Sequence, residues 1–220
     1  CRPDEPALAE RQAVTITAIC RHIETADEIP MLAELASRTG MSPYHFHRVF
    51  KSVTGLTPKA YAAAHRAGRL RSELERSGSV TGAIYDAGYN SNGRFYEESP
   101  RVLGMTPSRY RAGGADTEIR FALGVCSLGS ILVAMSPRGV CAIFLGDDPE
   151  TLVRDLQDRF PKARLVGGDS DFERLVAQVV GFVETAALGL DLPLDIRGTA
   201  FQQRVWQALR EIPFGTQVSY

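Results

Sequence analysis

Residues 40–58 read GMSPYHFHRVFKSVTGLTP, and the order of residue types in this stretch decides what the first half of the chain can be. Gly40 offers the left-handed turn that stops one helix. Ser42 followed by Pro43 is an N-cap with proline at the first helical position, so a second helix is predicted from there to about Thr54. Upstream, Met31 to Thr39 has the spacing of a short amphipathic helix. Helix, glycine turn and helix together predict a helix-turn-helix, with Ala36, Gly40 and Phe46 at the intervals that let two helices cross closely. At about 100° per residue, Phe46, Val49, Phe50 and Val53 fall on one face of the second helix, while Tyr44, His47, Arg48 and Lys51 fall on the other. One stripe reads as core and the other as free to enter a major groove, where an arginine can bond guanine bidentately. Ser42, Tyr44, His45, His47, Arg48 and Lys51 are therefore the candidate DNA contacts of this unit.

Working outward, the pattern G-x-T-P-x-x-Y at Gly55 to Tyr61 returns at Gly104 to Tyr110, 49 residues later. Thr57 and Thr106 read as N-caps, with Pro58 and Pro107 behind them. Two similar units are expected, joined by a long helix from Pro58 to Arg76 that would set their separation. In the second unit Val80 to Ala87 and Ser91 to Leu103 are the predicted helices and Gly88 the turn, which is one residue longer. Asn92, Arg94 and Glu97 are its outward candidates and Phe95 is expected inside. Glu97, Glu98 and Pro100 depart from a phosphate-gripping helix, since carboxylates repel the backbone and proline is expected to end or restart the helix.

Charge separates the two halves. The chain is near neutral at −1, but residues up to Gly114 balance at +3 and the remainder at −4. Arg38 to Ser72 holds seven basic residues and no acidic one, the footprint expected of a duplex-DNA binder. All four histidines lie in the first half, yet His45 and His47 lack a Cys or His at ligand spacing, so no metal is assigned. The apolar runs, such as Ile131 to Met135, are far shorter than the roughly 20 residues of a membrane span, and no basic-then-apolar leader opens the chain. Four dispersed cysteines fit neither a zinc pattern nor a disulfide framework. A cytoplasmic protein with no membrane partner and no cofactor is expected. The chain starts at Cys1 and stops at Tyr220 within an apparent strand, so both ends read as cut from something longer.

Beyond residue 117, strands are predicted at Ile119 to Gly124, Ser130 to Met135 and Val140 to Leu145, then helices at Asp148 to Phe160 and Asp171 to Ala186, which makes an α/β layer. Thr199 to Arg210 reads as a further helix whose stripe of Phe201, Val205, Trp206 and Leu209 is core, the single Trp included. Cys126 and Cys141 sit in apolar strands with nothing nearby to lower a thiol pKa, so they read as buried filler.

From about Ala7 to Gly114, through GMSPYHFHRVFKSVTGLTP, GYNSNGRFY and LGMTPSRYR, the chain resembles the AraC-type tandem helix-turn-helix regulators. The runs LGDD at Leu145 to Asp148, LDIRGTAFQQRVWQALR at Leu194 to Arg210 and IPFGTQVSY at Ile212 to Tyr220 resemble the methylated-DNA–protein-cysteine methyltransferases. The resemblance implies a multidomain α and α/β chain: an all-α tandem helix-turn-helix over 7–114, a ribonuclease-H-like α/β subdomain over 117–195, and over 196–220 the truncated start of a winged-helix-like DNA-binding subdomain. Residues 1–6 would be the remnant of a zinc-domain linker. It implies double-stranded promoter DNA as partner, alkylated DNA for the full protein, RNA polymerase as a second partner, and regulation of the response to alkylation. In such methyltransferases a thiolate captures the alkyl group of a flipped-out O6-alkylguanine, within a Pro-Cys-His-Arg motif that does not occur here. Cys1 resembles the last of four zinc-binding cysteines whose companions are absent from these 220 residues, and Tyr220 resembles the tyrosine that contacts the flipped nucleotide. Transfer by this chain itself is therefore not expected. An AraC-type regulator with a small-molecule effector domain is the alternative for the second half.

Overall fold

The computed structural model describes residues 8–26, 28–89, 92–185 and 192–211. Contacts divide the chain into two units, Cys1–Arg66 with Ala186–Arg204, and Ala67–Thr185 with Val205–Tyr220.

The first unit is helical. It holds α1 (Leu8–Thr25), α2 (Leu32–Thr39), α3 (Pro43–Thr54), the opening turns of α4 (Pro58–Arg76) and those of α10 (Leu194–Glu211). Gly40 has φ 69°, its N–H bonds the Ser37 carbonyl and the Met41 N–H bonds that of Ala36, so α2 ends where the sequence predicts. Ser42 caps α3 by accepting from the His45 N–H at 3.3 Å. The core joins Ile16 and Cys20 of α1, Leu35 and Ala36 of α2, Phe46 and Phe50 of α3, and Tyr61 of α4 to Ile196 and Ala200 of α10. At its edge the Tyr61 hydroxyl donates to Glu24 at 2.6 Å, and Arg21 pairs with both Glu24 and Asp195. The helix read as starting at Thr199 thus begins five residues earlier. Gly198 lies inside the helix, where burial of Ile196 and Ala200 offsets its low propensity.

The second unit continues α4 and contains α5 (Val80–Asp86), α6 (Asn92–Leu103), α7 (Pro107–Arg111), β1 (Glu118–Cys126), β2 (Gly129–Ser136), β3 (Gly139–Gly146), α8 (Pro149–Arg159), β4 (Arg164–Gly167) and α9 (Ser170–Thr185). The three predicted strands form a meander, with Phe121 opposite Ala134 and Ala134 opposite Ala142. β4, absent from the sequence reading, adds parallel to β1 at Glu118 to Phe121, giving the order β3-β2-β1-β4. Four residues with one apolar pair carry too little period-2 signal to be read beforehand. The small mixed sheet and its helices make the chain α and α/β, as expected at that level.

Ile131 to Ala134 are all buried, which is why β2 reads as a continuous apolar run: a strand covered on both faces has no reason to alternate. One sheet face shares a continuous core with the helices before it, in which Leu70, Ile84, Phe95 and Leu103 pack with Leu132, Ala142 and Phe160. Gly104 marks a close approach of two backbones. It has φ 65°, and a Cβ there would lie 2.6 Å from the carbonyl oxygens of Gly139 and Val140. The opposite face receives α9 against β1.

Pro100 lies inside α6, which runs to Leu103, the end expected for this helix. Proline removes the N–H that would bond the carbonyl four residues back, but the buried Ser99 hydroxyl donates to that carbonyl, on Tyr96, at 2.9 Å. The helix therefore continues to Leu103, where the Gly104 N–H bonds the Pro100 carbonyl.

A candidate nucleic-acid interface on α3

The outward face of α3 follows from its inward one. Phe46, Val49, Phe50 and Val53 are buried, with the Phe46 and Phe50 rings 5.8 Å apart, so the residues between them are forced out. Tyr44, His45, Arg48 and Lys51 are exposed and His47 is half-buried. Tyr44 is 73% exposed, an unusual state for a tyrosine without an apolar neighbour to cover it. The Arg48 guanidinium lies 5.9 Å from the centre of its ring, which holds the cation near the first turn of the helix. Ser42 spends an acceptor site on the cap and keeps a hydroxyl proton for another partner.

Among the described residues, neither Arg48 nor Lys51 enters an ion pair, and no carboxylate occurs between Arg38 and Ser72 to neutralise them. Not all seven cations of that stretch face water. Arg69 donates to the Asp86 carbonyl at 2.8 Å and Arg71 to that of Val102 at 2.9 Å, and Arg38 lies 3.8 Å from Glu34. Lys59, in the first turn of α4, is exposed and adds to the surface that Arg48 and Lys51 begin.

In the second copy α6 places Asn92 and Arg94 in its first turn, and Phe95 is buried as expected. Tyr96 and Glu97 are exposed. Tyr96 was not singled out by sequence; at the 49-residue offset of the repeat it matches His47 of α3, directly after a buried phenylalanine. Ser91, where α6 was expected to start, and Tyr220 lie outside the described residues. No group of described residues could hold a metal ion, and no described helix is long and apolar enough to cross a membrane.

Among the described residues the cysteines form no reactive site. Cys20, Cys126 and Cys141 are buried. Burial pushes the thiols of Cys20 and Cys141 up to about 12 and raises that of Cys126, the opposite of what a nucleophile requires. Trp206, Val205, Phe201 and Leu209 are buried as the stripe predicts.

Residues 35–113, from α2 to just beyond α7, match the family described as "Helix-turn-helix domain". Along its whole length the chain is 46% identical to the "Bifunctional transcriptional activator/DNA repair enzyme Ada" of Escherichia coli (strain K12). The chain is thus similar along its whole length to Ada-type proteins. It is 45% identical, again over its whole length, to the "Regulatory protein ada" of Salmonella typhimurium, and it spans 62% of each of these two relatives. An inducible methylated-DNA–protein-cysteine methyltransferase of Bacillus subtilis is 32% identical over 89 residues, which are 40% of this chain and 50% of that protein. The Ada-type likeness therefore covers both the helix-turn-helix residues and the mixed sheet.

Proposed function

We propose that this chain is the DNA-reading part of a regulator of the response to alkylation damage. It would bind duplex promoter DNA in a sequence-specific way, with α3 in a major groove and Tyr44, His47 and Arg48 toward base edges. Ser42, His45 and Lys51 would grip phosphates. The observation that carries this reading is the face of α3: a core-anchored helix after a glycine turn, with an exposed tyrosine, arginine and lysine and no ion pair to neutralise the cations. Asn92 and Arg94 would serve α6 in the same way, at a second groove segment.

The name of the Escherichia coli relative supports the coupling of activation to repair, and an activator at a promoter meets RNA polymerase. Residues 117–195 would be the ribonuclease-H-like subdomain of a methyltransferase and 196–220 the start of its DNA-binding subdomain, in the cytoplasm and without a cofactor. None of the three described thiols would be the methyl acceptor, since each is buried and protonated.

Selection from a pool of randomised duplexes tests the reading. Enrichment of a common sequence, protected in footprinting at two segments, is the expected result. Retention of the whole pool without enrichment would remove the regulatory assignment.

A further inference from the structure

An α-helix leaves its last four carbonyls without partners of its own, and at the end of α6 these are taken up by unusual donors. The Arg101 carbonyl accepts from the indole Nε1–H of Trp206 at 3.3 Å. The Val102 carbonyl accepts from Arg71 at 2.9 Å. Just beyond, the Ser136 hydroxyl donates to the Gly104 carbonyl. The donors come from α10, α4 and β2, so the end of one helix is held from three elements far apart in sequence.

Two of those donors also hold each other. The Arg71 guanidinium lies 4.0 Å from the centre of the Trp206 ring, and its Nε is buried with no hydrogen-bond partner among the described residues. A desolvated cation with an unfilled donor is tolerated here because the ring face supplies negative charge density. Trp206 is 6% exposed, so the stack is shielded from water. Remove the ring and Arg71 loses its reason to face inward; remove Arg71 and the Val102 carbonyl is left open.

We infer that α10 is a strut that positions α6, acting through Trp206 and Arg71, so that displacement of α10 changes how the second helix-turn-helix unit meets DNA. This rests on the reading above that α6 approaches a groove. Trp206 and Arg71 are positioning residues: they touch the end of α6 opposite to Asn92 and Arg94, and set the angle at which its first turn is offered. The strut also ties the second reading helix to a helix of the methyltransferase-like segment, a path by which binding at one could be felt at the other.

Two substitutions separate the strut from plain stability. Trp206→Phe keeps a ring face for Arg71 and removes the N–H; Arg71→Met keeps the stem and removes the cation. In both, hydrogen exchange at the last turns of α6 should quicken by about tenfold, while exchange in α3 and the unfolding midpoint of Trp206→Phe stay near those of the unaltered chain. On a selected duplex, protection at the α6 segment should weaken by a similar factor and protection at the α3 segment should hold. Emission from Trp206, the single tryptophan, should change on binding that duplex and not on binding one that carries the α3 segment alone. Unchanged α6 exchange in both variants, or equal loss at both segments, overturns the strut. A chain that protects only the α3 segment before any substitution refutes the groove role of α6 instead, and exchange still decides the strut.

Discussion

The two helix-turn-helix copies carry the same punctuation and put it to different uses. In the first, Gly40 turns the chain in open space, and α3 buries one stripe and leaves the other to solvent. In the second, α6 shares a core with a sheet: Phe95 and Leu103 pack in the same cluster as Leu132 and Ala142, and Gly104 sits against the backbone of β3. The difference teaches that a repeat in sequence marks equal local structure but not equal surroundings. Proline within α6 and glutamate on its surface, which look like faults in a reading helix, belong to a helix whose far end is held by its neighbours.

Exchanging one left-handed glycine from each copy, Gly40 and Gly104, for alanine sharpens that contrast most. Gly40→Ala meets nothing within 4 Å and carries only the left-handed backbone penalty, about 1–2 kcal/mol. Gly104→Ala has the same penalty plus a collision with two carbonyl oxygens, so its loss should be larger by roughly 1–3 kcal/mol. Denaturant unfolding of both variants checks this, and equal losses would mean that α6 is not seated on β3 as described.

The caps should behave alike where the glycines do not. Thr57 accepts from the Ala60 N–H and Thr106 from that of Arg109, at 3.1 and 3.4 Å. Thr57→Ala and Thr106→Ala should each cost about 1 kcal/mol. A cost confined to one of them, by the same unfolding measurement, would show that the repeat is formal and not energetic.

The thiols give a smaller effect, visible with pH. Cys20 lies in the first unit and Cys141 in the second, and both have their thiols pushed up to about 12 by burial. The protonated form is favoured in the fold, so their contribution is complete below the ordinary thiol value near 9 and is lost as pH rises from there toward 12. At pH 8 a thiol reagent should reach Cys20, Cys126 and Cys141 only as each unit opens. Duplex carrying labelled O6-methylguanine should leave all three unmethylated. Stoichiometric label on any of them would contradict the account of their surroundings.

Much of this was legible beforehand because the deciding signals are local. Gly40, Ser42-Pro43 and Thr106-Pro107 punctuate within four residues, and the α3 stripe needs only its own period. What escaped depends on distant partners. Burial of Ile196 extends α10 back past Gly198, and β4 exists because β1 offers it an edge. Arg71 reads as one more groove cation until Trp206, 135 residues on, is placed beside it. Asn92 and Arg94 lie in the first turn of α6, and the exposed Tyr96 was not singled out.

The central claim is that α3 reads bases. It is tested most directly by titrating the unaltered chain, Arg48→Ala and Lys51→Ala against a selected duplex and a random one at one salt concentration. Arg48→Ala should lose on the order of 1–3 kcal/mol on the selected duplex and far less on the random one, with relaxed preference at a single base pair. Lys51→Ala should weaken both alike. Equal loss on the two duplexes for Arg48→Ala would contradict the account, leaving α3 a basic surface that holds DNA without reading it.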